Sequence, residues 1–297
     1  MDEYRLDKQR VRYFFDRAAA HYDEAAVLQR EVADRMLERM ELIRFLPQRI
    51  LDIGAGTGYC SQALLQRYRD ANLFSADLSE QMVRQASARC SLWQRLRRKQ
   101  RFLVADVEQL PLADASLDLV FSNLTLQWCG DLAQTLREFC RVLRPGGLLM
   151  FSTFGPDTLK ELRESWGSVD DHTHVSVFPD MHDVGDLMLA ERFSDPVVDV
   201  EYFTLTYREV GGLMADLKIL GARNATFGRP RGLTGKGRFA RMLKAYERYR
   251  QEGMLPATYE VIYGHAWAPE RKSELKGGQE HTVSLDELQM IPRRRSE

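Results

Sequence analysis

The chain has 297 residues, of which 44% are hydrophobic and 29% charged, a balance typical of a globular protein that can bury a core. The 42 Lys and Arg residues against 43 Asp and Glu residues give a formal net charge of −1. No overall positive field therefore points to nucleic acid. With 20 Gly and 10 Pro, collagen-like and low-complexity sequences are also excluded.

The N-terminus and the cysteines predict a cytoplasmic protein. The opening sequence MDEYRLDKQR is charged throughout and lacks the apolar core of a signal peptide. No apolar run is long enough to span a bilayer, so we expect no membrane partner. No cysteine lies in a C-x-x-C pair or near a His at zinc spacing: Cys60, Cys90, Cys129 and Cys140. We therefore expect reduced thiols and no metal site.

In chain order, helical spacing of apolar residues first predicts a helix over Val11–Met40, broken near His21–Asp23 and ended by Pro47. Strands and helices then alternate. Five apolar runs predict strands at Arg49–Ile53, Asn72–Asp77, Arg101–Asp106, Leu117–Asn123 and Leu148–Phe154. Helices are predicted after them at Tyr59–Tyr68, from the capping residue Ser79, and at Leu132–Leu143, Pro156–Ser165 and Met181–Ala190.

The last third predicts two more strands, Val197–Tyr207 and Tyr259–Trp267, on either side of a long insertion. Strands that alternate with helices predict an α/β fold with a mainly parallel sheet. We expect a single domain over residues 1–267, with a helical lid at 1–46 and a helical insertion at 208–256. Residues 268–297 are polar and predict a loosely ordered tail.

A glycine-rich loop follows the first predicted strand and opens a helix, with the sequence D-I-G-A-G-T-G from Asp52 to Gly58. A dinucleotide fingerprint, G-x-G-x-x-G, would place its third glycine where Tyr59 stands. The carboxylate of Asp52 would repel a pyrophosphate, but it would favour the positive sulfonium and amino groups of S-adenosyl-L-methionine. The loop therefore predicts S-adenosyl-L-methionine as the cofactor.

Polar residues at the ends of successive predicted strands support the same site, because ligands of parallel sheets bind outside the carboxyl ends of the strands. Asp77 is expected to accept the ribose hydroxyls, and Asp106 is expected near the adenine amino group. The predicted cofactor contacts are Asp52, Gly54, Ala55, Gly56, Gly58, Asp77, Leu78, Met82, Asp106, Val107, Asn123 and Leu124.

From about Ile50 to Phe154 the chain resembles the class I S-adenosylmethionine-dependent methyltransferases. The matching motifs are D-I-G-A-G-T-G, the strand-end Asp77, A-D-V-E-Q-L-P-L and R-V-L-R-P-G-G-L-L. The resemblance implies a Rossmann-like fold with a seven-stranded, mostly parallel sheet and helices on both faces. It also implies that the last strand, Tyr259–Trp267, is antiparallel.

Longer motifs span about Phe14 to Trp267 and read F-D-R-A-A-A-H-Y-D, S-N-L-T-L-Q-W-C, F-G-P-D-T-L-K-E-L-R, L-K-I-L-G-A-R-N and G-L-T-G-K. They resemble one family of these enzymes, the malonyl-[acyl-carrier protein] O-methyltransferases of biotin synthesis, the BioC family. The resemblance implies methyl transfer to the free carboxylate of a malonyl thioester on an acyl-carrier protein. The methyl ester product would prime pimeloyl synthesis. The polar tail after Ala268 departs from compact relatives, which end soon after the last strand.

Four residues are predicted to position the substrate. His21 and Tyr22 lie in the break of the first helix, suited to a lid, and Gln127 and Trp128 follow the fourth strand. His21 would equally suit helix packing, and Trp128 would equally suit the core. No general base is expected, because a carboxylate with a pKa of about 4 is already ionised at neutral pH. An Arg should orient the substrate carboxylate, but the sequence does not identify it.

The insertion carries no acidic residue between Asp216 and Glu247 but eight basic ones. An acidic carrier protein is the partner that the resemblance implies, and the expected docking surface for it is formed by Arg229, Arg231, Lys236, Arg238, Arg241 and Lys244. A merely solvated face remains open, whereas the few aromatic residues of the insertion disfavour nucleic acid. A methyltransferase of another small carboxylate or quinone, or a non-catalytic cofactor-binding regulator, also remains open at this point.

Overall fold

The computed structural model describes residues 5–90, 99–229, 232 and 234–270. Within them a seven-stranded sheet has the order β3-β2-β1-β4-β5-β7-β6. The strands are β1 (Arg49–Ile53), β2 (Asn72–Asp77), β3 (Gln100–Val104), β4 (Leu117–Ser122), β5 (Leu143–Phe154), β6 (Ser194–Tyr207) and β7 (Leu255–Trp267). The predicted α/β, Rossmann-like fold is confirmed.

Strand β7 is the exception in an otherwise parallel arrangement. The pairs β1–β2, β2–β3, β1–β4 and β4–β5 are parallel, whereas β7 is antiparallel to both β5 and β6. Gly264 of β7 lies opposite Phe151 of β5, where a Cβ atom would come within 2.3 Å of the Phe151 ring. A glycine at this point therefore lets a large ring pack directly on the backbone of a central strand.

Along the chain, the described helices lie before and between the strands. They are α1 (Lys8–Ala18), α2 (Tyr22–Ala25), α3 (Val27–Arg39), α4 (Tyr59–Arg67), α5 (Glu80–Ala88), α6 (Leu132–Val142), α7 (Lys160–Gly167), α8 (Met181–Ala190), α9 (Val210–Ile219) and α10 (Lys236–Tyr246).

Several predicted boundaries differ from the structure. Strand β5 begins at Leu143 rather than Leu148, β6 begins at Ser194 rather than Val197, and β3 ends at Val104 rather than Asp106. The first helix is three helices, because the chain turns at residues 19–21 and again at Ala26. Helix α7 begins later than Pro156, because Leu159 adopts a left-handed backbone conformation with φ of 55°. Strand β7 begins at Leu255 rather than Tyr259, which shortens the insertion.

Helices cover both faces of the sheet, because neighbouring strand residues point to opposite sides. Ile50 belongs to a core shared with α3, α4, α7 and α10. Its neighbour Leu51 belongs to a second core shared with α6 and α8. The carboxyl ends of the parallel strands remain open, and this edge of the sheet carries the site.

A helical cap lies over that edge; we define it as residues 5–25 and 210–229. Its two parts are joined by backbone hydrogen bonds from Asp7 N–H to the Ala225 carbonyl (2.9 Å) and from Phe227 N–H to the Arg5 carbonyl (3.0 Å). Side chains tie the cap to the sheet: Ser79 Oγ donates to Asp16 Oδ1 at 2.7 Å. In the described part of the chain, no helix combines the length and the apolar character that crossing a membrane requires.

Candidate active site

The glycine loop between β1 and α4 forms the floor of a cleft at the strand ends. Gly54, Gly56 and Gly58 all have positive φ values, of 72°, 54° and 90°, which favour glycine. A Cβ at Gly54 would lie 1.8 Å from Thr125 Oγ1. A Cβ at Gly56 would meet no protein atom within 4 Å. The backbone of Gly56 is therefore open to the cleft, as close approach of a ligand requires.

Asp77, at the end of β2, links this loop to the turn that starts α5. Its Oδ2 accepts the Gly56 N–H at 2.9 Å, and its Oδ1 accepts the Ser79 N–H at 2.8 Å. Burial raises the pKa of Asp77 to about 6, although the hydrogen bonds from Ser79 and Gly56 oppose this rise. Each oxygen keeps a lone pair that could accept a hydroxyl proton of a ribose.

Asp106, which follows β3, also lines the cleft, but it has a partner that the sequence did not suggest. Lys8 of α1 lies 2.6 Å from Asp106 Oδ2 and 2.7 Å from Glu108 Oε2. Asn123, at the end of β4, accepts from Ser152 Oγ and donates to the Gln29 carbonyl. Both strand-end residues therefore hold the N-terminal helices against the sheet.

The cap closes the cleft with aromatic side chains. Phe15 of α1 and Trp128 meet edge to face, with ring centroids 5.2 Å apart. Tyr22 lines the same cleft, and burial raises the pKa of its hydroxyl. The walls are thus apolar around a floor of backbone and carboxylate groups.

These features fit S-adenosyl-L-methionine better than a phosphate-bearing dinucleotide. The space around the Cβ position of Gly56 holds no protein atom within 4 Å. Asp77 lines the cleft and offers hydrogen-bond acceptors to it. The one cation among the described lining residues, Lys8, is already neutralised by two carboxylates. A positively charged, phosphate-free cofactor suits such a cleft, whereas a pyrophosphate would meet uncompensated negative charge.

The structure brings together most of the predicted site residues. Those that line the cleft are Gly54, Gly56, Asp77, Leu78, Met82, Asp106, Val107, Asn123 and Leu124, with Tyr22, Gln127 and Trp128. Ala55 and Gly58 do not line it. They shape the loop instead, since the Gly58 N–H donates to the Ala55 carbonyl at 2.9 Å.

Two predicted residues lie elsewhere. His21 is largely exposed, and its ring contacts Glu24 at 2.8 Å rather than the cleft. Asp52 is 1% exposed within β1, where its Oδ2 accepts the Ser61 hydroxyl at 2.5 Å. Burial raises the pKa of Asp52 to about 7, against the hydrogen bond from Ser61. The placement of Asp52 beside the sulfonium therefore has no support in the structure.

A second, larger cavity of about 570 Å³ adjoins the cleft. The two share a wall formed by Gln29, Gln127, Trp128, Phe154, Leu220 and Ala222. Most of its remaining lining is apolar, from α3, α7, α9 and the ends of β6 and β7. A molecule in this cavity would reach the cleft at Gln127 and Trp128, so the cavity is a candidate substrate pocket.

Sequence reasoning missed Lys8 and Phe15, which the cap brings to the site, and Gln29 of α3. Their contacts join distant parts of the chain, which no local pattern reveals. One signal was available for α1: Val11 and Phe14 recur at helical spacing and predict an apolar face that must cover something. Gln29 lies in the wall that the two pockets share, and its buried Oε1 has no hydrogen-bond partner among the residues that the structure describes.

Comparison with known proteins agrees with this geometry. A family model described as a methyltransferase domain matches residues 51–151. The malonyl-[acyl-carrier protein] O-methyltransferase of Methylovorus sp. (strain MP688) is 52% identical, over 98% of this chain and 97% of its own. That of Laribacter hongkongensis is 53% identical over 91% and 92%. The Methylovorus match includes most of the polar tail, so the expectation that the tail departs from relatives is wrong for this one.

Solved structures share the fold at low sequence identity. The YcgJ protein of Bacillus subtilis has a TM-score of 0.54 and 17% identity, over 79% of this chain and 98% of its own. The phosphoethanolamine N-methyltransferase 2 of Haemonchus contortus, in complex with S-adenosyl-L-methionine, has a TM-score of 0.52 and 17% identity, over 88% and 60%. With the near full-length relatives above, the chain belongs to the malonyl-[acyl-carrier protein] O-methyltransferase family and uses S-adenosyl-L-methionine as its cofactor.

Proposed function

We propose that this enzyme methylates the free carboxylate of a malonyl group held as a thioester on an acyl-carrier protein. The methyl ester would then prime pimeloyl synthesis for biotin, in the cytoplasm. The observation that carries the proposal is the identity of 52% over nearly the full length of the Methylovorus relative. The cavity beside the cofactor cleft supports it, since about 570 Å³ leaves room for more than a malonyl group.

The reaction requires no general acid or general base. A carboxylate oxygen forms a bond to the methyl carbon while the bond from that carbon to sulfur breaks, and no proton moves. When bound, S-adenosyl-L-methionine supplies the electrophilic methyl group. The protein has to align the reacting atoms, a role we assign to Gln127 and Trp128 in the shared wall.

Gln127 is held in place for this role, because its Nε2 donates to the Leu124 carbonyl at 2.6 Å. Tyr22, Phe15 and Trp128 would keep water from the reacting pair. Exclusion of water favours a reaction between a carboxylate and a sulfonium, since the charges disappear in the products.

Four of the six residues predicted to dock the carrier protein lie on one helix, α10. Lys236, Arg241 and Lys244 of α10 are exposed and form no ion pair with a described acidic residue. Arg238 lies 3.8 Å from Asp170. Arg241 and Lys244 are one turn apart and share a face of the helix. An unpaired basic face of this kind suits an acidic partner protein.

The remaining two predicted docking residues differ. Arg229 is mostly buried, and its Nη1 donates to the Thr226 carbonyl at 2.7 Å. It lines the cavity and does not belong to the exposed face of α10. Arg231 lies outside the described residues. We therefore assign carrier docking to the exposed cations of α10.

The direct test of the proposed function is mass spectrometry of a malonyl carrier protein after incubation with enzyme and S-adenosyl-L-methionine. We expect the mass of one added methylene unit on the malonyl carrier. An acetyl carrier, which lacks the free carboxylate, should remain unmodified. If the malonyl carrier also stays unmodified while the enzyme binds the cofactor, the proposed substrate is wrong.

Docking is tested by reversing two charges. Arg241→Glu with Lys244→Glu should raise the KM for the malonyl carrier about tenfold at low salt, and it should leave the KM for malonyl-CoA unchanged. The matched control reverses Arg44 and Arg69, which are exposed at the opposite end of β1. Equal effects of the two pairs would contradict a specific docking face on α10.

A further inference from the structure

Cationic side chains collect where the substrate cavity opens to solvent. Arg10, Lys218 and Arg223 are exposed and line the cavity, whereas its deeper lining is mostly apolar. None of the three lines the cofactor cleft. The cavity is therefore apolar inside and positively charged at its mouth.

Two of these cations are held against the same aromatic ring. The Cζ atoms of Arg10 and Arg223 lie 5.3 and 5.5 Å from the centroid of Phe14. Phe14 is itself buried, in a cluster with Leu6 and Ala225. Because a guanidinium held by a ring keeps its N–H edges available, both side chains can still bind an anion.

Neither guanidinium has an acidic partner among the described residues. Asp216, which also lines the cavity, receives the Tyr207 hydroxyl at 3.1 Å. Asp7 accepts the backbone N–H of Arg10 at 3.2 Å, and its other oxygen lies 3.9 Å from the guanidinium of Arg229. Two positive charges on one ring repel each other, and an anion bound between them would relieve that repulsion.

We propose that Arg10 and Arg223 form a binding site for the phosphodiester of the arm through which a carrier protein holds its acyl thioester. The inference rests on the proposed function, which supplies a substrate on such an arm. Planar guanidinium groups bind phosphate oxygens through paired, charge-assisted hydrogen bonds. The apolar cavity behind them would hold the arm, and the thioester end would reach the shared wall at Gln127 and Trp128.

The position of the two arginines favours the phosphodiester over the reacting carboxylate. That carboxylate must lie beside the methyl group in the cofactor cleft, which neither arginine lines. The phosphodiester is at the other end of the arm, where the carrier protein begins, and so it belongs at the mouth. Arg10 and Arg223 are then specificity residues rather than catalytic ones.

Binding is the first test, and it does not depend on turnover. By calorimetry, the wild-type protein with its cofactor should bind phosphopantetheine at least about tenfold more tightly than pantetheine. The double variant Arg10→Gln/Arg223→Gln should lose this preference. The matched control is Arg17→Gln, on the same helix, whose guanidinium lies over Tyr13 at 5.7 Å outside this cavity. If the wild type does not prefer the phosphate, or the double variant keeps the preference, the inference is wrong.

Turnover separates the possible anions. For malonyl-phosphopantetheine, kcat/KM should fall about tenfold in the double variant, and for phosphate-free malonyl-pantetheine it should change less than about twofold. Equal losses on both substrates would assign the arginines to the carboxylate, and a loss confined to the carrier-bound substrate would assign them to acidic carrier residues; either overturns the inference. Wild-type enzyme that methylates no malonyl substrate, yet prefers phosphopantetheine in binding, would refute the proposed function while supporting this site.

Discussion

The cofactor cleft and the substrate cavity adjoin, yet they are built in different ways. The floor of the cleft comes from the sheet, where Gly56, Asp77 and Asp106 follow successive parallel strands. The cavity is enclosed mainly by helices and loops, including α3, α7 and α9. A sheet edge fixes its residues through strand pairing, whereas a helical enclosure depends on packing between distant segments. We therefore expect substitutions to separate cofactor binding from substrate use.

The largest effect should come from the floor of the cleft. Gly56→Val would place a branched side chain in space that is now free of protein atoms, at a φ of 54°. We expect cofactor affinity to fall by more than about 100-fold, measured by calorimetry, while the circular dichroism spectrum is kept.

The control for that variant is Gly146→Val. Gly146 also has a positive φ, of 70°, and open space at its Cβ position, but it lies in β5 away from the cleft. Both variants carry a similar backbone strain of about 1–2 kcal/mol. If Gly146→Val weakens cofactor binding as much, strain rather than ligand contact explains the loss.

Asp77 should contribute the next largest effect. Asp77→Ala is expected to weaken cofactor binding by about 1.5–3 kcal/mol, because it removes charge-assisted acceptors from the cleft. Titration calorimetry measures this change, and an unaltered dissociation constant would remove Asp77 from the cofactor site.

Because the pKa of Asp77 is raised, cofactor affinity should depend on pH. With a pKa of about 6 in the free protein, the carboxyl is ionised at pH 7 and protonated at about pH 5. Protonation removes the charge that favours hydroxyl donors, so wild-type cofactor affinity should fall as the pH drops through about 6. Asp77→Asn should flatten this part of the pH profile.

Filling the cavity should affect only the substrate. Ser176→Trp places a large ring in the lining of the cavity, at a loop residue outside the cofactor cleft. We expect kcat/KM for the malonyl carrier to fall about tenfold, whereas cofactor affinity should change less than about twofold. Loss of both would mean that the two pockets are mechanically coupled through their shared wall.

The last prediction concerns the stability of the fold rather than ligand binding, at Asp52, which was predicted in the cofactor site and is buried within β1. Its pKa of about 7 is above the unfolded value near 4, so the folded state holds its proton more tightly and stability is lost as the pH rises between these values. Asp52→Asn should therefore raise the free energy of unfolding at pH 8 by about 1–3 kcal/mol. The gain should vanish near pH 4.

Asp118 provides the matched comparison for Asp52, as another buried strand carboxylate. It lies 2.9 Å from Arg144 Nε and accepts the Arg49 N–H at 2.9 Å. Asp118→Asn should destabilise the protein at pH 8, because it leaves a partner cation without its anion. Urea unfolding at pH 8 measures whether each variant has a higher or a lower free energy of unfolding than the wild type. A lower value for Asp52→Asn would contradict a raised pKa for Asp52.

Sequence reasoning located the sheet and the cleft more fully than the cavity. The ends of β2 and the start of α5 at Ser79 followed from local patterns, and Ser79 Oγ does accept the Met82 N–H. Asp52 was predicted to face the cofactor, whereas the structure buries it within β1. Side chains alternate along a strand, and a position next to a loop does not reveal which face a residue takes. Arg10 and Arg223 meet at Phe14 only through tertiary packing, which no local pattern encodes.

The hydrogen bonds between the two parts of the cap have a consequence for the order in which the substrates bind and the products leave. Leu6 and Thr226 form a β-bridge, so the two parts of the cap are expected to move away from the sheet as one piece. Phe15 and Tyr22 of that piece cover the cofactor cleft, and Phe14 and Arg223 line the neighbouring cavity. A carrier protein bound at the mouth would hold the cap down over the cofactor. We therefore expect an ordered kinetic mechanism, in which S-adenosyl-L-methionine binds before the carrier and its demethylated product leaves last.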